Sequence, residues 1–107
     1  MKPLAALALV IALPVSAHNL SQRECIRFAG DMYAVAAEKL DGHTMESEIK
    51  DADQDIPKCM QSDSCLYKDQ EDLARVYYAI RAIYKTNMPP DAVAQFITKE
   101  VCNATAN

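Results

Sequence analysis

Apolar residues fall at helical spacing along most of the chain. The longest run is Leu66 to Asn87, where Leu66, Leu73, Val76, Tyr77, Ile80, Ile83 and Tyr84 form one stripe. This predicts a helix with Asp63 or Ser64 as its cap and Asn87, Pro89 and Pro90 as its end. Upstream, Ser21-Gln22-Arg23-Glu24 reads as a capping box, with Leu20 before it as a staple. Cys25, Phe28, Ala29, Met32, Ala36 and Leu40 then share one face, and Gly42 is placed for a left-handed cap. Thr44 caps a shorter helix with a thin stripe of Met45, Ile49, Ala52 and Ile56, which Pro57 should stop. The remainder of that helix is acidic and is expected at the surface. A final helix follows Pro90, with Val93, Phe96, Ile97 and Val101 inward. Gly is rare and β-branched runs are absent. The expected fold is all-α, a small disulfide-linked bundle of three to four helices.

The first seventeen residues read differently. Lys2 gives a short basic region, Leu4 to Leu13 an apolar one, and Val15-Ser16-Ala17 the small residues of a cleavage site. This pattern predicts a secretory signal peptide over 1–17 and a single helical domain over 18–107. Ten apolar residues fall short of the roughly 20 that span a bilayer, so no membrane anchor is expected after cleavage. Removing this segment takes away one lysine and no acid, so the net charge moves from −4 to −5. That balance argues against nucleic-acid binding, which needs basic patches. With 50% hydrophobic residues the chain can form a core, so disorder is not expected.

All four cysteines lie beyond the predicted cleavage site. An even count in a short exported chain implies disulfides, and three pairings are possible. The favoured one is a local clip, Cys59–Cys65, with Cys25–Cys102 tying the first helix to the last. There is no C-x-x-C, and the only histidines are His18 and His43, so neither a metal site, a redox pair nor a cofactor is expected.

Catalytic chemistry finds little support. His18 would be the new N-terminus, and His43 reads as a surface loop residue with no nucleophile in view. No G-x-S-x-G, H-E-x-x-H or phosphate loop occurs. Asp51-Ala52-Asp53-Gln54-Asp55 starts like a calcium loop, but the required glycine and glutamate are replaced by Ile56 and Ser62. Asn103-Ala104-Thr105 is a glycosylation sequon, relevant only to a glycosylating export route. One flank of the long helix aligns Tyr67, Ala74, Tyr78, Arg81 and Lys85. Tyrosine and arginine favour interfaces, so Tyr67, Tyr78, Arg81 and Lys85 form a candidate partner-binding face. The competing assignment packs Tyr78 into the core and leaves the cations to snorkel.

The signal-like start, the opening ECIRFAGDMYAVAAEKLDG, the DSC before the long helix and the closing FITKEVC resemble small cysteine-bridged helical proteins exported by proteobacteria and their phages. The Cys59-x5-Cys65 step before an Arg/Tyr-containing helix is similar to a periplasmic antiholin. The size, export and bridged helical build are similar to those of periplasmic immunity proteins. These resemblances imply a protein partner and an inhibitory, immunity or lysis-regulating role, and carry over no functional residue. The alternatives are an envelope-stress chaperone, a structural envelope protein and, last, an enzyme.

Overall fold

A computed structural model describes residues 20–102. The predicted signal segment, His18 and the sequon at Asn103 lie outside the described residues. The chain forms α1 (Gln22–Leu40), α2 (Met45–Cys59), α3 (Gln70–Lys85) and α4 (Pro90–Phe96), which runs into a π-helical segment, Ile97–Cys102. Among the described residues there is no strand, and the all-α bundle expected from the pattern is what forms. No helix among them is long and apolar enough to cross a membrane.

Helix α1 starts as its sequence predicts. The Ser21 hydroxyl accepts from the Glu24 N–H at 3.1 Å, and the Ser21 N–H donates to Glu24 Oε1 at 2.9 Å. This satisfies two amides that a helix start otherwise leaves open. Cys25, Phe28, Ala29, Met32, Val35 and Ala36 are buried against α3, α4 and the π segment. Leu40 was expected on this face but is 71% exposed. The last turn of α1 instead uses Lys39, whose ammonium donates to the Ile83 and Thr86 carbonyls at the end of α3 and sits 5.6 Å from the Tyr84 ring. A cation there meets the negative end of the helix dipole.

Two boundaries differ from the sequence expectation. Pro57 does not stop α2, which continues to Cys59. The proline lies in the last turn on the exposed side, where water can replace the backbone bond it removes. Helix α3 begins at Gln70, capped by Asp69 rather than by Asp63 or Ser64. The Asp69 carboxylate accepts from the Asp72 N–H at 2.9 Å, and the Asp72 carboxylate accepts from the Lys68 N–H at 2.7 Å. Leu66 and Tyr67 are buried in the non-helical approach to this cap. The buried side of α3 is also rotated. Asp72, Arg75, Val76, Ala79, Ile80, Ala82 and Ile83 face inward, while Leu73, Tyr77 and Tyr84 are only half-buried.

Both expected bridges are present. Cys25–Cys102 and Cys59–Cys65 have Cα–Cα distances of 5.4 and 5.3 Å. The wider π turn brings Ile97, Val101 and Cys102 all inward, which presents Cys102 to α1. Phe96, expected inside, is half-buried. Two disulfides match an oxidising, non-cytoplasmic compartment.

Candidate functional site

The connection from α1 to α2 is four residues, Asp41-Gly42-His43-Thr44. Gly42 has φ +96°, the left-handed conformation that its lack of a side chain makes cheap. The Gly42 N–H donates to the Lys39 carbonyl at 3.1 Å, and the His43 N–H donates to the Glu38 carbonyl at 3.0 Å. These two bonds are those of a Schellman C-cap, with Glu38 in the third-last helical position and His43 second beyond the cap. Thr44 then immediately caps α2, its hydroxyl accepting from the Ser47 N–H at 3.1 Å. His43 is therefore also the residue before an N-cap, and Glu48 is the fourth helical residue after it.

Each of these two motifs commonly brings an apolar pair together, at the third-last and second-beyond positions of the one and across the cap of the other. In this corner the two pairs share His43 and their partners are Glu38 and Glu48. The result is a compact polar cluster. His43 Nδ1 lies 3.3 Å from Glu48 Oε2, and one ligand-capable atom from each of Glu38, His43 and Glu48 lies within 4.8 Å of the others. The Tyr84 hydroxyl donates to the His43 carbonyl at 2.7 Å, which pins the loop to α3.

Glu48 was expected on a solvated helix face but is 5% exposed. Its Oε2 is buried and makes no hydrogen bond among the described residues. Burial is the main cause that pushes its carboxyl up from 4.5 to about 7, followed by the hydrogen bond and negative charge of Glu38. His43 acts in the opposite direction, and Asp51 adds a smaller upward push.

Glu38 and Glu48 of this cluster also line a cleft of about 380 Å³ formed by α1, α2 and α3. Met32, Val35, Ile56, Val76 and Ile80 give it an apolar floor. Asp31, Glu38, Glu48, Asp51 and Asp55 supply carboxylates, and among the described residues no lysine or arginine lines it. Tyr67 closes part of the wall. Its hydroxyl donates to Asp31 Oδ2 at 2.6 Å, and burial together with that bond raises its phenol well above the usual range. On the α3 side the Tyr77 hydroxyl donates to Asp53, a bond that pushes Tyr77 up to about 12.

The candidate face on α3 divides. Tyr78 is 39% exposed, and Arg81 and Lys85 are also exposed. Tyr67 does not belong with them, being 8% exposed and turned to Asp31. The physical reason is the late start of α3, which leaves Tyr67 outside the helical register that aligned it with Tyr78. Arg81 lies 6.0 Å from the Tyr77 ring.

The cleft and the corner both escaped the sequence reading. A signal for the corner was present, since Glu38, His43 and Glu48 are evenly spaced around a glycine cap and a threonine cap. Reading the two caps as one unit would have placed the three side chains together. No family model, curated protein or solved structure matches this chain.

Proposed function

We propose that the chain is exported to the periplasm or beyond and acts as a protein-binding module, of the inhibitor, immunity or lysis-regulating kind. Its cleft receives a basic, partly apolar segment of another protein. The observation that carries this reading is the cleft itself, an apolar floor bordered by carboxylates, with no basic side chain in its lining among the described residues. An apolar floor favours burial of a partner's aliphatic or aromatic group, and the carboxylates favour lysine or arginine beside it. The volume suits one or two inserted side chains. The signal-like start and the two bridges support the compartment. The exposed Tyr78, Arg81 and Lys85 provide a second surface to which such a partner can extend.

The test is an NMR titration of the oxidised chain with a short peptide that alternates arginine and leucine, against the same peptide with glutamate for arginine. The basic peptide should shift amides of Asp31, Asp51, Ala52 and Asp55, and the shifts should weaken with salt. Asp51→Asn with Asp55→Asn, both exposed positions, should reduce the affinity roughly tenfold or more if each carboxylate makes a charge-assisted contact. Shifts confined to Tyr78, Arg81 and Lys85, or equal binding of the acidic peptide, would remove the cleft from the reading.

A further inference from the structure

We propose that Glu38, His43 and Glu48 form a binding site for a divalent transition-metal ion of the zinc type, which ties the end of α1 to the start of α2. The site goes beyond the reading of a protein-binding cleft and does not depend on it. Three observations support it. The first is the donor set, one imidazole nitrogen and two carboxylates within 4.8 Å of one another. The second is preorganisation, because the Schellman cap, the Thr44 cap and the Tyr84 hydroxyl fix the backbone that carries the donors. The third is Glu48 Oε2, a buried oxygen that accepts no hydrogen bond among the described residues and lies 3.3 Å from His43 Nδ1, on a side chain that is 5% exposed.

The geometry suits a small ion. Zinc binds imidazole nitrogen and carboxylate oxygen at about 2.0–2.2 Å, so a tetrahedral site has an edge of roughly 3.3–3.5 Å. The His43 Nδ1 to Glu48 Oε2 distance of 3.3 Å already matches such an edge. Glu38 is half-exposed and its carboxylate already lies within 4.8 Å of the other two donors, so a change of rotamer would bring it to a third vertex. Calcium and magnesium are disfavoured by the donors. Calcium takes six to eight oxygen ligands and magnesium a near-octahedral oxygen shell, whereas an imidazole among the ligands selects zinc, copper, nickel or iron.

The placement also explains two unfavourable features of the corner. Two carboxylates are held close together, one of them out of water. Glu38 also lies in the last turn of α1, at the negative end of its dipole. A divalent cation offsets both, and it joins the two helices through side chains at positions where many proteins use an apolar pair. Three protein ligands leave a fourth position for water or for a group on a partner.

The experiment uses the oxidised, untagged full-length chain and Zn²⁺ alone, followed by calorimetric titration and by thermal melting. One Zn²⁺ per chain should bind and raise Tm by mass action, while Mg²⁺ and Ca²⁺ at the same concentration leave Tm unchanged. Co²⁺ in place of Zn²⁺ should give the visible absorption of a four- or five-coordinate site. His43→Ala should weaken Zn²⁺ binding by more than the roughly 10–100-fold that follows loss of an outer-shell partner. The His43 side chain is 45% exposed, so this variant retains the fold, which circular dichroism without metal checks. Glu48→Gln should give the same loss. The proposal is overturned by the absence of one-to-one binding, by binding that His43→Ala leaves intact, or by binding that is lost in His18→Ala instead.

Discussion

Tyr78 keeps 39% of its surface in solvent, whereas Tyr67 keeps 8% and donates to Asp31. Replacing Tyr78 with alanine should therefore cost less than about 1 kcal/mol. Tyr67→Ala should cost about 3–5 kcal/mol, as truncation of a packed aromatic does. Urea denaturation of the two variants measures the contrast directly, and similar losses would place Tyr78 in the core. A second residue-scale expectation concerns Glu48, faced by Glu38, His43, Asp51 and Tyr84. Its carboxyl titrates near 4.5 when unfolded and about 7 when folded. Between those values the native state holds a proton that the unfolded chain has released. Stability of the chain in chelator should thus fall as pH rises through this window, by an amount on the order of 3 kcal/mol. Glu48→Gln should flatten the slope; an unchanged pH profile in that variant would show that another group is responsible.

At the scale of elements, the apolar period placed all the helices, because each stripe has to be covered by another element. It failed at the ends. Leu66 and Leu73 stand seven residues apart, two helical turns, so an extended approach imitated a continuation of α3. Only the chemistry of Asp69 and Asp72 marks the true start: their carboxylates accept from the Asp72 and Lys68 N–H groups, side-chain bonds that periodicity does not register. The π segment was equally invisible, since one extra residue in a turn leaves no compositional trace. Of three possible bridge pairings, the favoured one forms, a short local clip and a long tie from the first helix to the last. Its energetic consequence can be measured. In the loop-entropy model a span of 77 residues gives about 4.5 kcal/mol and a span of 6 about 2 kcal/mol. Replacing Cys25 and Cys102 together with serine should lower the melting temperature more than replacing Cys59 and Cys65. The reverse order would mean that the clip supports Leu66 and Tyr67 more than the model credits.

For the whole molecule, the charge balance and an oxidising environment were readable and the cleft was not. Acidic residues on α1 and α2 are unremarkable separately, and only the fold turns them into the lining of one cleft over a shared apolar floor. The export reading makes a mass prediction. Protein recovered from the periplasm or medium should begin at His18, and intact-mass spectrometry would detect retention of residues 1–17.

The bridges also impose an order of events. They are nested, the short one lying wholly within the span of the long one. A chain that emerges N-terminus first offers Cys25, then Cys59 and Cys65, and Cys102 only when nearly all of it is through. An oxidant that joined thiols as they appeared would couple Cys25 to Cys59, which is not the native pairing. Maturation then requires either that Cys25 wait as a free thiol while α1 folds around it, or that an isomerase rearrange an early mispaired bond. The yield of this small protein in a host without a disulfide isomerase separates the two routes: a loss points to rearrangement, and an unchanged yield to a Cys25 thiol that waits for Cys102.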